Sequence, residues 1–207
     1  MPIFKGVFVN KLNLGCGLDT IDGWLNIDYF SSQDLPYGLT GLNGKKTLYC
    51  WDLTKDPGFE ENSIKYIYSS HFIEHIDFTD AINMLDWCYK CLRPNGIIRI
   101  TCPDISIDIN HYVNRNEKYF KDYADKWFKS SEKYTPATML QIFMASMSRW
   151  RHKWGYDFES LKDILERAGF KDIKKRDAFD SDIPDILSVE PHHKDRVDES
   201  LYIEAKK

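Results

Sequence analysis

Long apolar runs are missing from this 207-residue sequence, and none approaches the length that spans a bilayer. The opening Met1-Pro2-Ile3-Phe4-Lys5 lacks the apolar core and small-residue cleavage site of a secretion signal. A basic surplus is missing too. The formal net charge is −4, which disfavours a nucleic-acid backbone as the main partner. Cysteine is sparse and odd in number: Cys16, Cys50, Cys88, Cys91 and Cys102 are scattered through apparent core segments, which fits free thiols in a reducing compartment better than a disulfide framework. No repeat or low-complexity tract is present. These absences together predict a cytoplasmic enzyme. What remains is 43% hydrophobic and 29% charged, an ordinary balance for one globular domain over residues 1–207.

Short strand-like runs alternate with helical or loop segments, the pattern of an α/β fold with a mostly parallel sheet. Strands are expected at 11–14, 24–28, 46–50, 64–70 and 97–102, and two more near 172–175 and 200–205. Between Thr79 and Leu92, Ala81, Met84, Leu85, Cys88, Cys91 and Leu92 repeat at helical spacing, and Arg93-Pro94-Asn95-Gly96 then turns the chain. A second helix is capped by Asp157, buries Leu161, Ile164, Leu165 and Ala168, and stops at Gly169. Residues 105–156 break the rhythm with an aromatic-rich, helical insert. The polar stretch 180–199 reads as a long loop, of the kind that is often functional or mobile.

The first strand runs into Gly15-Cys16-Gly17, where the absence of Cβ atoms lets a ligand approach the backbone at the strand edge. Asp28 ends the next strand and can accept two hydrogen bonds from a ribose diol. Asp52 ends the third, placed to meet an adenine amino group with Leu53 packing on the base. The turn alone is weak; turn, Asp28 and Asp52 at successive strand ends form a joint pattern.

The strings Lys11 to Gly17, Gly23 to Asp28, Ile67 to Ile76, Leu92 to Asp104, Ala168-Gly169-Phe170 and Ser200 to Ala205 resemble the small class I S-adenosylmethionine-dependent methyltransferases of the type 11-like branch, which is associated with surface-polysaccharide and glycan synthesis. The resemblance implies a Rossmann-like fold: a mostly parallel seven-stranded sheet, an antiparallel last strand, and helices on both faces. It implies S-adenosylmethionine as cofactor and S-adenosylhomocysteine as product. Asn13, Gly15, Cys16 and Gly17 would meet the methionine part, Asp28 the ribose, Asp52 with Leu53 the adenine, and Ser69, Ser70 and His71 the opening beside the sulfonium. It also implies methylation of a sugar hydroxyl, on an acceptor linked to a nucleotide or lipid, with a glycosyltransferase as partner or fusion. Other acceptors for the same chemistry are a small molecule or RNA.

Two departures bear on this. The third glycine of the motif is absent, since Leu18-Asp19-Thr20 follows Gly17, and Asp28 arrives so soon that the first crossover helix must be short or irregular. The same spacing weighs against an NAD-dependent sugar-modifying enzyme, which needs G-x-G-x-x-G and an acid about 20 residues on to seat a pyrophosphate. A non-catalytic scaffold of the same fold is the reading from another class.

A sugar hydroxyl must lose its proton, and three bases are placed for it: Asp104 and His71 at strand ends, then His152. His71-Phe72-Ile73-Glu74-His75 also spells the inverted zinc-protease pattern, but it starts where a strand ends and no companion ligand is evident. Glu74 and His75 are therefore expected either to bond neighbouring backbone or to serve in methyl transfer, and no metal is assigned. Cys88-Tyr89-Lys90-Cys91 lies late in a helix with both sulfurs on its apolar face and reads as core. Arg149-Trp150-Arg151-His152-Lys153-Trp154 interleaves cations with aromatics, either to grip a phosphate or as a solvated helix face with buried tryptophans.

Overall fold

The computed structural model describes residues 9–29, 38–42, 46–128, 136–190 and 196–207. Met1–Lys5, Tyr134 of the aromatic insert and 191–195 of the polar stretch lie outside the described residues, as does the side chain of Arg149. The strands are β1 (Lys11–Leu14), β2 (Leu25–Asp28), β3 (Gly38–Leu42), β4 (Lys46–Cys50), β5 (Ile64–Ser70), β6 (Leu92–Pro103), β7 (Lys171–Arg176) and β8 (Ser200–Lys206). They form one sheet in the order β3-β4-β2-β1-β5-β6-β8-β7. β4, β2, β1, β5 and β6 run parallel, and the last strand, β8, is inserted antiparallel to both β6 and β7. This is the expected sheet with one addition. The edge strand β3 pairs antiparallel with β4 from Gly38↔Cys50 to Leu42↔Lys46 and makes eight strands among the described residues.

One face of the sheet is covered by α1 (Phe78–Cys91) and α5 (Phe158–Arg167). α1 buries Ala81, Met84, Leu85, Cys88 and Cys91, so both thiols of the C-x-x-C are core, and burial first of all pushes both up, Cys91 to about 12. The register of β5 and β6 jumps from Ile64↔Leu92 to Tyr66↔Ile97, so Arg93–Gly96 loop out as the turn chemistry predicts, although β6 begins before them. At α5, the Asp157 carboxylate accepts from Ser160 N at 2.8 Å while Ser160 Oγ accepts from Asp157 N at 3.0 Å. Asp157→Ala is expected to cost about 0.5–2 kcal/mol, read as a lower urea midpoint with the circular dichroism of the folded state intact; an unchanged midpoint would show that α5 is held by its buried face alone.

No helix connects β1 to β2. The crossover, residues 15–24, consists of turns held by Asn26 in the centre of the sheet. Asn26 is fully buried, accepts from Ile21 N at 2.7 Å and from Asn13 Nδ2 at 2.9 Å, and donates to the carbonyls of Ile21 and Trp24. A side-chain amide thus satisfies main-chain groups that a helix would satisfy internally. The face left uncovered is closed by the far end of the chain: Ile183, Ile186 and Val189 pack with Ile21, Trp24, Tyr66 and Tyr68.

Residues 180–190, expected as part of a free loop, are tied down. They include α6 (Ile186–Val189) and are anchored through Arg99 of β6, which is fully buried. Its Nε and one terminal nitrogen reach the two oxygens of Glu190 at 2.6 and 3.0 Å, and the other reaches Glu204 at 3.3 Å. The remaining donors bond the carbonyls of Asp177 and Asp180, so all five guanidinium hydrogens are used. The insert folds as α2 (Ile105–Val113), α3 (Glu117–Trp127) and α4 (Met139–Arg149), with a small core of its own around Phe120, Ala124, Phe128 and Ile142.

Candidate active site at the carboxyl edge of the sheet

The ends of β1, β2 and β5 meet at the glycine turn. Gly15 takes φ +67°, and its N–H donates to Ile27 O at 2.8 Å. A Cβ built there would lie 2.3 Å from Phe72 Cγ, so Phe72 closes directly over the backbone. At Gly17, φ +50°, a Cβ would meet nothing within 4 Å. Gly17 N donates to Asp28 Oδ2 and Tyr29 N to Asp28 Oδ1, both at 2.6 Å, fixing the carboxylate beside the turn with a lone pair to spare on each oxygen. Burial holds the Asp28 carboxyl above its ordinary value, against the pull of those two N–H groups. Burial likewise pushes the Cys16 thiol to about 12, which makes it an inert wall rather than a nucleophile.

Other residues read from the sequence are placed less openly. Asn13 spends its amide on Asp19 O and Asn26, so it shapes the crossover. Asp52 accepts from Thr54 N and Oγ1 and pairs with Lys55 at 3.1 Å; burial would raise its carboxyl, but these contacts outweigh it and leave it low. Leu53 is 2% exposed, and its carbonyl accepts from Trp87 Nε1 at 3.2 Å, so its side chain belongs to the core. The Ser69 hydroxyl is buried without a hydrogen-bond partner among the described residues, and Ser70 accepts from Thr101 Oγ1 at 2.7 Å. A cavity of about 40 Å³ opens beside Asn13, Cys16, Tyr68 and Ser70.

β5 leaves the sheet at His71, whose N–H still bonds Thr101 O but whose φ is +48°. That left-handed residue reverses the chain into a 3₁₀ turn, Ile73–His75, above the strand ends. For Glu74 the backbone-bonding reading holds for its main chain but not for its carboxylate. Its main-chain oxygen accepts from Lys153 N at 2.7 Å and Trp154 N at 3.2 Å, but its carboxylate bonds no backbone. That carboxylate is 2% exposed and, among the described residues, neither oxygen accepts a hydrogen bond, although His71 Nδ1 stands 3.3 Å from Oε1. The main-chain bonds draw His152 alongside. The rings of His75 and His152 meet edge to face at 4.9 Å, and burial, more than any neighbouring charge, pulls His152 down to about 4.

These groups floor a cavity of about 190 Å³ whose walls are Tyr119, Tyr123, Trp127, Trp150 and Trp154 from the insert. All three sequence-predicted bases line it. Asp104, however, caps α2 by accepting from Ser106 N and Oγ and pairs with Lys175 at 3.0 Å, and His71 Nε2 is taken by Ser200 Oγ at 3.1 Å. The 149–154 segment is neither a buried nor a solvated helix face. Trp150 stands edge-on to Trp127 at 5.5 Å, Trp154 packs on Phe78, and Lys153 pairs with Asp77. Sequence reading missed Phe72 as a site residue; no local signal marks it, because it acts by closing over Gly15, far away in the chain.

A family model described as a methyltransferase domain matches residues 21–175. No protein of curated function matches the sequence. Among solved structures, a SAM-dependent methyltransferase from Archaeoglobus fulgidus is similar over 100% of this chain and 89% of its own, with 17% identity and a TM-score of 0.56. One from Mesorhizobium loti is similar over 97% and 91%, with 14% identity and a TM-score of 0.52. Phosphoethanolamine N-methyltransferase 2 of Haemonchus contortus, in complex with phosphomonomethylethanolamine and S-adenosylhomocysteine, is similar over 98% of this chain but 51% of its own, with 14% identity and a TM-score of 0.52. At such identities the likeness is one of fold.

Proposed function

The chain belongs to the methyltransferase domain family, and on that premise we propose that it transfers a methyl group from S-adenosylmethionine to a hydroxyl of a sugar or glycan. The observation that carries the acceptor is the cavity itself: five aromatic rings over a floor of histidines and carboxylates. Apolar sugar C–H faces pack on such rings while hydroxyls reach polar groups below, the usual division of labour in a small-molecule site.

The glycine turn suits the cofactor. Gly17 leaves the backbone open, and Asp28 is held against it with acceptor capacity left for a diol. The cofactor supplies an electrophilic methyl on a sulfonium. The chain's own part is to bind it at Gly15, Cys16, Gly17 and Asp28, with Asn13, Asp52, Leu53, Ser69, Ser70 and His71 shaping the surrounding wall. The insert then aligns the acceptor hydroxyl, and such positioning supplies up to roughly 7–11 kcal/mol in well-oriented reactions. The released proton goes to the polar floor. Asp104 and His71 are the first candidates to take it, Asp104 held by Ser106 and Lys175 and His71 Nε2 paired with Ser200 Oγ, and His152 comes third.

Methylation assays with labelled donor and glycans ending in hexose or deoxyhexose should yield labelled sugar. Labelling of an amine or a small aromatic acid, with sugars untouched, would sink the acceptor assignment. For the cofactor, Asp28→Ala is expected to weaken donor binding by at least about tenfold, some 1.4 kcal/mol, in a calorimetric titration. Equal binding by the variant would remove Asp28 from the site.

A further inference from the structure

We propose that Glu74, His75 and His152 form a binding site for one divalent transition-metal cation at the floor of the acceptor cavity. Each offers one ligand atom, and the three atoms lie within 4.8 Å of one another. Tetrahedral ligands at 2.0–2.1 Å from a metal are about 3.4 Å apart, so small rotations of exposed-side rotamers close the set. His75 Nε2 already stands 3.9 Å from Glu74 Oε1.

A second observation points the same way. The Glu74 carboxylate is almost wholly buried, yet among the described residues neither oxygen accepts a hydrogen bond, His71 Nδ1 standing 3.3 Å from Oε1. Such oxygens ordinarily find donors, and a carboxylate taken out of water without them is costly. A cation among the three side chains removes that cost. The positions are also fixed by the fold rather than by flexible side chains alone, because Lys153 N and Trp154 N bond the carbonyl of Glu74 and hold the 152 turn against the 74 turn. Two imidazoles and one carboxylate favour borderline cations such as Zn²⁺, Co²⁺ or Ni²⁺ over Mg²⁺ and Ca²⁺, which prefer all-oxygen shells. All three residues line the cavity, so a further ligand would come from there. Metal binding stands independently of the acceptor assignment; only the idea that an acceptor oxygen fills an open position rests on it.

The test uses the chelator-stripped full chain, without donor or acceptor. Zn²⁺ titrated by calorimetry should bind at one per chain, and Co²⁺ should develop visible ligand-field bands that Zn²⁺ abolishes and equimolar Mg²⁺ does not. Glu74→Gln, His75→Ala and His152→Ala should each weaken binding by more than about tenfold while far-ultraviolet circular dichroism is preserved. Absence of one-to-one binding, or binding that His75→Ala and His152→Ala leave unchanged, overturns the proposal. Should Glu74→Gln fail to fold, the two histidine variants on their half-exposed turns decide. Loss of metal binding with donor binding intact would separate failure here from failure of the methyl-transfer reading.

Discussion

Arg99→Ala is expected to lower folding stability by about 3–5 kcal/mol, the usual consequence of removing one member of a buried ion pair. Against a total of about 5–15 kcal/mol for a domain, that is a large fraction. The reason lies in what is stranded. Glu190 is fully buried and loses both of its guanidinium bonds, Glu204 loses one, and the carbonyls of Asp177 and Asp180 lose their donors. Urea unfolding should show a midpoint lower by more than about 1 M, given slopes of about 1–3 kcal/mol per molar; an unmoved midpoint would show that the network is dispensable. Buried ionic groups can often be replaced together by apolar residues without loss. Here Arg99→Met with Glu190→Leu and Glu204→Leu is expected to fail as a rescue. Glu190 also accepts from Phe179 N, and Glu204 from Asp182 N and Ser181, and leucines would leave those donors unpaired.

Gly15→Ala is expected to damage both fold and cofactor binding. The residue needs a left-handed φ, which costs a residue with Cβ roughly 1–2 kcal/mol, and the new methyl would sit 2.3–2.4 Å from Phe72 Cγ and Cβ. Because Phe72 Cβ is among the atoms struck, rotating the ring away does not relieve the clash; backbone must move, at about 1–3 kcal/mol more. Donor titration should show binding lost or weakened by well over tenfold. Combining Gly15→Ala with Phe72→Gly, which removes Cβ as well as the ring, should give less destabilisation than the sum of the two, a coupling of about 0.5–3 kcal/mol. Strict additivity in thermal unfolding would show that the ring does not press on the turn.

Much of the sheet was legible in the sequence because it rests on local patterns. The β-branched and aromatic run at 64–70, the helical spacing from Ala81 to Cys91, and Asp157 with Gly169 each announce one element, and the structure places them within a residue or two. The edge strand β3 was not legible, since Gly38–Leu42 carries two glycines and no clear alternation. The spacing from Gly17 to Asp28 announced a short or irregular crossover helix, but not that turns would replace it altogether. Asn26 sits in a strand that otherwise reads as apolar, and only the fold shows its amide pinning the crossover. The site divides the same way. Gly15, Gly17 and Asp28 were readable as a motif and come together through one hydrogen bond, Gly17 N to Asp28. Asp52 and Leu53 keep their strand-end position, but their polar and apolar groups turn toward Thr54, Lys55 and Trp87. The nearness of Glu74 to His152 could not be read at all, because no period or propensity couples segments that far apart.

The closure of the β1–β2 face by Ile183, Ile186 and Val189 has a consequence for the order in which the molecule can be made. On a ribosome adding about 5–20 residues per second, the motif strands emerge many seconds before the segment that seals them. Until residues 177–190 dock on Arg99, Trp24, Tyr66 and Tyr68 stay uncovered, and the glycine turn faces water on a half-built sheet. A nascent chain therefore carries the whole glycine turn and Asp28 while the apolar cover from Ile183, Ile186 and Val189 is still missing, and that side of the sheet closes only with the final fifth of the sequence.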